Sequence, residues 1–93
     1  MSYTVYLTGH LNSFSDGQTE IAVAGNHKTV GDLLSSLRRQ HISLRDRIIT
    51  ETGEVRPHVN IYYQGEDIRR QHGLRTRIEP GSELHIFNAV SGG

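Results

Sequence analysis

The chain has 93 residues, which is enough for one domain that buries a core of its own and too little for two. Ten Lys and Arg side chains balance ten Asp and Glu, so the formal net charge is zero and the overall charge gives no basic footprint for nucleic acid and no attraction to an acidic membrane. Cysteine is absent, which excludes disulfides, thiolate metal ligands and a sulfur nucleophile of the chain's own.

The first 24 residues predict a β-hairpin. Residues 3–11 alternate between apolar and polar side chains, with Val5 and Leu7 on one parity, and residues 18–24 alternate again, with Ile21 and Val23 on one face. Residues 12–17 between them are rich in turn formers and include an Asp-Gly pair. No basic leader and no long apolar run is present, so we expect a soluble cytoplasmic protein without a membrane span.

A helix is predicted to begin after Thr29. The hydroxyl of this residue stands three positions before Asp32, in the arrangement of a helix cap. Four apolar residues then follow at helical spacing and form one stripe: Val30, Leu33, Leu34 and Leu37. Residues 43–56 show only a short helical turn around Leu44 and are interpreted as mainly a connection.

The rest of the chain predicts three more strands. Residues 58–63 alternate, residues 66–69 suit a short edge strand, and residues 73–76 suit a loop. In residues 83–90, Leu84 and Ile86 face one way while His85 and Phe87 face the other. This order predicts an α+β fold with a mixed sheet and one main helix across one face, and the last strand lies centrally beside the first.

The sequence ends in Gly92 and Gly93, shortly after the last predicted strand. Glycine has no Cβ, so this end can pass through a channel too narrow for side chains. The terminal carboxylate, with an ordinary pKa of about 3.5, is a poor electrophile until it is activated. Activation as an acyl adenylate and attack by a sulfur nucleophile would give a thioester or a thiocarboxylate.

Two interpretations of Phe87 follow from its strand parity. It is either an exposed docking anchor close to the reactive end or a side chain buried under the connecting segment, and Tyr62 has the same ambiguity. The six histidines do not form a metal-binding pattern, and no arrangement of nucleophile and base suggests catalysis by the domain. We therefore predict no metal, no bound cofactor and no catalytic residue.

The segment from Leu44 to Arg69, which includes the run from Pro57 to Gly65, resembles the characteristic block of the MoaD/ThiS family of ubiquitin-like sulfur carriers. Gly73-Leu74, Gly81 and the final Gly-Gly are also similar to that family, and the resemblance covers nearly the whole chain. It implies a β-grasp fold, with a domain over residues 1–90 and a flexible tail over residues 91–93.

The resemblance also implies a role. Gly93 would be adenylated by an ATP-using activating enzyme of the MoeB/ThiF kind and converted to a thiocarboxylate, with Gly92 giving access to the carboxyl group. Sulfur would come from a rhodanese or a cysteine desulfurase and pass to a downstream sulfur-accepting enzyme. His85, Phe87, Val90 and Ser91 would dock these partners. The chain would thus be a carrier cosubstrate rather than an enzyme.

Three alternatives remain open at this stage. The chain could be a ubiquitin-like modifier joined to protein lysines through Gly93, or the small subunit of a molybdopterin synthase, or a binding module whose Gly-Gly end has no role. The sequence also leaves open which acceptor finally receives the sulfur.

Overall fold

The computed structural model describes residues 2–8 and 19–88. Within these two ranges, five strands and two α-helices follow in this order: β1 Ser2–Leu7, β2 Glu20–Ala24, α1 Val30–Gln40, α2 Ile42–Ile48, β3 Val59–Tyr63, β4 Glu66–Asp67 and β5 Glu83–Asn88. Short 3₁₀ turns occupy Ile68–Arg70 and Gly73–Arg75.

The strands form one mixed sheet in the order β2-β1-β5-β3-β4. β5 runs parallel to β1, with Val5 opposite Leu84, and antiparallel to β3, with Ile61 opposite Ile86. The predicted hairpin is confirmed, since β1 and β2 pair antiparallel. The central position of the last strand beside the first is also confirmed. β5 is therefore paired with β1 as far as Ile86 and with β3 as far as Asn88, where the described residues end.

Helix α1 forms as predicted. The Thr29 hydroxyl accepts a hydrogen bond from the backbone N–H of Asp32 at 3.2 Å, which satisfies one of the free N–H groups of the first turn. The four residues of the predicted stripe are all buried: Val30, Leu33, Leu34 and Leu37. The stripe is therefore core rather than a binding groove.

Three segments differ from the prediction. α2 is a second helix of seven residues, packed beside α1, where mainly a connection was expected. The predicted edge strand at 66–69 stops after Asp67, because the Asp67 carboxylate accepts from the backbone N–H of Arg69 at 2.9 Å and starts a 3₁₀ turn there. The predicted loop at 73–76 contains another 3₁₀ turn.

The β3–β4 hairpin turns through Gln64 and Gly65. Both residues have a positive φ, 54° and 79°, as a two-residue hairpin loop requires. Gly65 adopts this conformation without cost, whereas Gln64 has a Cβ that makes it unfavourable.

The core lies between the helices and one face of the sheet. Side chains of one strand parity enter it, including Val5, Ile61, Leu84 and Ile86, and helix residues such as Leu37 and Leu44 meet them there. Side chains of the opposite parity are half-buried or exposed, including Tyr6, Tyr62 and Phe87. That second face of the sheet is therefore open to a partner.

Candidate functional site

Four aromatic rings lie on the sheet face that points away from the helices, and we call this group the aromatic face: Tyr6, Tyr62, His85 and Phe87. His85 in the central strand is opposite Tyr6 of β1 and Tyr62 of β3. The His85 ring stacks on Tyr6, with centroids 4.7 Å apart and planes at 13°. The ring centroids of Phe87 and His85 are 6.4 Å apart. The ring of Tyr62 meets the ring of Phe87 edge to face. The strand register thus assembles one continuous aromatic surface.

Phe87 is exposed. Its fractional exposure is 37%, whereas Leu84 and Ile86 on the same strand are at most 1% exposed. Within residues 2–8 and 19–88, the large apolar side chains that are exposed are Phe87 and Ile42. The interpretation of Phe87 as a buried core residue is therefore wrong, because the helices cover only the other side of β5. Tyr62 is half-buried on the same open face.

Carboxylates border the aromatic face on the β1 side. The Tyr6 hydroxyl donates to Oε2 of Glu83 at 3.2 Å, and Oε1 of Glu83 lies 3.8 Å from Nε2 of His85. Glu20 is opposite Tyr6 in the β1–β2 register. Partial burial, together with the negative charges of Glu83 and Glu20, raises the pKa of the Tyr6 phenol above its ordinary value. The phenol is accordingly a neutral hydrogen-bond donor at physiological pH.

On the β3 side, Arg69 fixes the backbone and an amide. One guanidinium nitrogen donates to the backbone carbonyls of Arg56 at 2.9 Å and Val59 at 2.5 Å, and the other donates to Oδ1 of Asn60 at 3.0 Å. Because arginine can only donate, the Asn60 atom that faces it must be the oxygen, and the amide N–H₂ lies on the other branch of the group.

A shallow depression of about 500 Å³ lies between β5 and the β3–β4 hairpin. Its lining is formed by Asn60, Tyr62, Gly65, His85 and Phe87. Aromatic rings supply most of its surface, and the Asn60 amide supplies hydrogen-bonding capacity at one side. An open depression with rigid aromatic walls suits the side chain of a partner protein better than a small metabolite, which usually needs an enclosed pocket.

The predicted site residues fall into two groups. His85 and Phe87 come together on the aromatic face, within the central strand. Val90, Ser91, Gly92 and Gly93 lie outside the described residues, as does the predicted tail over residues 91–93. β5 is described as far as Asn88, so the strand that carries His85 and Phe87 of the aromatic face is the one that precedes these four residues in the sequence.

Sequence reasoning did not select Tyr6, Glu20, Glu83 or Asn60. Tyr6 has the outward parity of its strand, which is the signal that would have found it, but the pairing register is needed to bring it next to His85. Glu20 and Glu83 become neighbours of Tyr6 only through the same register.

Two classes of site are not found in the part of the chain that the structure describes. No three His, Asp or Glu side chains there cluster closely enough to hold a metal ion. No helix formed by residues 2–8 and 19–88 is long and apolar enough to cross a membrane.

Comparisons with known proteins identify the family. The pattern of the ThiS family matches residues 5–93. The chain is 40% identical to small archaeal modifier protein 3 of Haloferax volcanii over an alignment of 65 residues. This alignment covers 70% of each sequence. It is 32% identical to the sulfur carrier protein CysO of Mycobacterium tuberculosis over an alignment of 95 residues. This alignment covers 100% of both sequences.

Comparison with solved structures leads to the same family. The chain superposes on a chain of the crystal structure of the Amycolatopsis orientalis BexX/CysO complex with a TM-score of 0.86 and 26% identity, covering 98% of this chain and 99% of that chain. The mixed sheet with a helix across one face is therefore the ubiquitin-like β-grasp that the sequence predicted. Taken together with the match over residues 5–93, this shows that the chain belongs to the ThiS family.

Proposed function

We propose that this protein is a sulfur carrier whose Gly93 carboxyl group is converted to a thiocarboxylate and donates sulfur in the biosynthesis of a cofactor or metabolite. The observation that carries the proposal is the match to sulfur carrier protein CysO over the full length of both sequences. The position of β5 supports it, because a strand that lies inside the sheet and stays paired with β3 as far as Asn88 gives the following residues a rigid base.

The chemistry follows from the carboxylate. Its oxygen attacks the α-phosphorus of ATP, pyrophosphate leaves, and the acyl adenylate that results is an electrophile. A persulfide sulfur then attacks the acyl carbon and displaces AMP, and a thiol reduces the acyl disulfide to the thiocarboxylate. The chain contributes the acyl group, and an activating enzyme of the MoeB/ThiF kind supplies ATP binding and catalysis. A rhodanese or a cysteine desulfurase supplies the persulfide.

In this proposal the tail and the domain have separate tasks. Residues 91–93 enter the active site of the partner, and Gly92 keeps the approach to the carboxyl carbon free of side chains. Residues 1–90 form the domain that the partner holds. Phe87 and His85 dock the partner through the aromatic face, together with Val90 and Ser91, and the downstream sulfur-accepting enzyme binds the same side of the domain.

Intact mass spectrometry tests the proposal. The protein is incubated with ATP, the activating enzyme of the same organism and a persulfide source, and a variant without Gly93 is treated in parallel. We expect a mass gain that corresponds to the exchange of one oxygen for sulfur in the full chain and no gain in the variant. No gain in the full chain, with an activating enzyme that is active on another substrate, would overturn the proposal.

A second candidate function is conjugation to proteins. The 40% identity to small archaeal modifier protein 3 favours it, and it needs the same activated carboxyl group. Conjugation would attach Gly93 to a lysine amine through an isopeptide bond. Adducts in a lysate that resist reducing agent and disappear when Gly93 is deleted would support this function.

A further inference from the structure

The zero net charge conceals a strong separation of charge along the chain. All ten Lys and Arg residues lie between Lys28 and Arg77, together with six Asp and Glu residues, so this segment has a net charge of +4. The rest of the chain contains four Asp and Glu residues and no Lys or Arg, so its net charge is −4. β1, β2 and β5 belong to the acidic part.

The fold brings this acidic part to the aromatic face. Glu83 accepts a hydrogen bond from the Tyr6 hydroxyl and lies beside His85, and Glu20 stands opposite Tyr6 on the neighbouring strand. The Glu83 side chain is 57% exposed, so its charge is open to a partner. Among the residues that the structure describes, Glu20 and Glu83 have no Lys or Arg within salt-bridge distance.

A basic residue does border the other side of the face, but it is already engaged. Arg69 binds the Asp67 carboxylate at 3.5 Å, the Asn60 amide oxygen and two backbone carbonyls. Asp67 is opposite Tyr62 in the β3–β4 register. The opposite charges of Asp67 and Arg69 cancel, so this ion pair adds no net charge to that side. The aromatic face therefore keeps a negative charge on its β1 side and an apolar, neutral surface around Phe87 and Tyr62.

Rings and carboxylates in this arrangement favour a cation. A guanidinium or ammonium group beside Tyr6 would meet the ring face that His85 does not cover and could donate hydrogen bonds to Glu83 and Glu20. A partner with an acidic surface at this place would be repelled by the carboxylates of Glu20 and Glu83. An apolar side chain at the neighbouring depression would cover Phe87 and Tyr62.

We propose that the partner enzyme that binds the aromatic face presents an arginine or lysine to Glu20 and Glu83 and, beside it, an apolar side chain to Phe87. This inference rests on the proposed function, because it takes the occupant to be the enzyme that processes Gly93. β5 gives the reason for that choice: the strand that carries Glu83, His85 and Phe87 is also the strand that leads to Gly93. An enzyme that receives the tail must cover the surface next to it.

The test compares two double variants of equal charge change. Glu20→Gln with Glu83→Gln removes the two carboxylates from the aromatic face. Glu51→Gln with Glu54→Gln removes two exposed carboxylates from the turn before β3 and serves as the control. The dissociation constant for the activating enzyme is measured by calorimetry at several salt concentrations, and urea unfolding verifies that both variants are folded.

We expect the first variant to bind about tenfold more weakly at low salt and to lose most of its salt dependence, while the control binds like the unmodified protein. Equal affinities and equal salt dependence for the two variants would overturn the inference. Loss of self-association in sedimentation, without loss of enzyme binding, would instead identify a second copy of the chain as the occupant and overturn it too.

The same preparation distinguishes this inference from the proposed function. Intact mass is recorded for the unmodified protein in parallel. If the thiocarboxylate forms but the two variants bind alike, only the partner chemistry is wrong. If no thiocarboxylate forms, the proposed function is wrong and this inference falls with it.

Discussion

The rings of Tyr62 and Phe87 meet edge to face, with centroids 5.5 Å apart and planes at 89°. This geometry is a favoured one for aromatic pairs and contributes about 0.5–1.5 kcal/mol beyond the area that the rings bury. The pair joins β3 to β5 on the open side of the sheet, opposite the core. Phe87 is therefore held in a defined orientation even though it is exposed, which is what the proposed docking role requires.

Phe87→Ala should impair activation without unfolding the domain. The side chain is 37% exposed, so its truncation should lower the free energy of unfolding by only about 1–2 kcal/mol. A central aromatic anchor commonly contributes much more to binding, and we expect the KM for the carrier in adenylation to rise about tenfold or more. Steady-state kinetics and circular dichroism measure the two effects.

Ile86→Ala is the matched contrast on the neighbouring position. Ile86 is fully buried, so its truncation should lower the free energy of unfolding by about 2–5 kcal/mol. If Phe87→Ala lowered the free energy of unfolding as much as Ile86→Ala does, or if it were activated normally, Phe87 would not be a docking anchor.

Arg69→Gln should destabilise the protein by about 1–3 kcal/mol, because the carbonyls of Arg56 and Val59 would lose their charged donor. The amide orientation of Asn60 should change as well, since its oxygen would no longer face a guanidinium. Urea unfolding measures the first effect, and the Asn60 side-chain NH₂ signals in an NMR spectrum report the second. The adjacent exposed Arg70→Gln is the control, and equal unfolding midpoints would contradict the role of Arg69.

The Tyr6 phenol should titrate above its ordinary pKa of about 10. The folded state holds this proton more tightly than the unfolded chain, so the stability that it adds is fully present below about pH 10 and is lost as the pH rises through the folded pKa. Glu83→Gln should lower the pKa of Tyr6, because it removes one of the negative charges beside the phenol. The ring carbon shifts of Tyr6, followed by NMR as a function of pH, give its pKa in the unmodified protein and in the Glu83→Gln variant. The same pKa in both proteins would contradict the contact between Tyr6 and Glu83.

Gln64→Asn should stabilise the protein by about 0.5 kcal/mol, because asparagine tolerates the left-handed conformation of this hairpin position better than glutamine does. Gln64→Val should destabilise it by about 1–2 kcal/mol, since a β-branched side chain is poorly accommodated at positive φ. Unfolding midpoints in urea measure both changes. Equal unfolding midpoints for the proteins with Gln, Asn and Val at position 64 would mean that Gln64 does not have this conformation.

The alternation of strand residues was enough to predict most of the sheet. Val5, Ile61 and Leu84 follow the period of two and are all buried, and the stripe of α1 follows the period of 3.6. Alternation does not say which face the helices cover when both faces of a strand carry large side chains. Phe87 and Tyr62 were ambiguous for that reason, and only the packing of the helices on the other face decided their position.

The second helix was missed because its own signal is weak. α2 has only seven residues, Leu44 and Ile48 are its buried side chains, and Ile42 at its start is 67% exposed. A helix this short is marginal alone and forms here because it packs against α1. The acidic border of the aromatic face was missed for a different reason, since Tyr6 and Glu83 are far apart in the sequence and meet only through the parallel pairing of β1 and β5.

The most direct test of the sulfur-carrier proposal is to locate the sulfur within the chain. Arg77 is the last Lys or Arg in the sequence, so trypsin releases residues 78–93 as one peptide from protein that has been incubated with ATP, the activating enzyme and a persulfide source. We expect the tandem mass spectrum of this peptide to place one oxygen-to-sulfur exchange on Gly93. An unmodified peptide, or sulfur found only on other residues, would contradict the proposal.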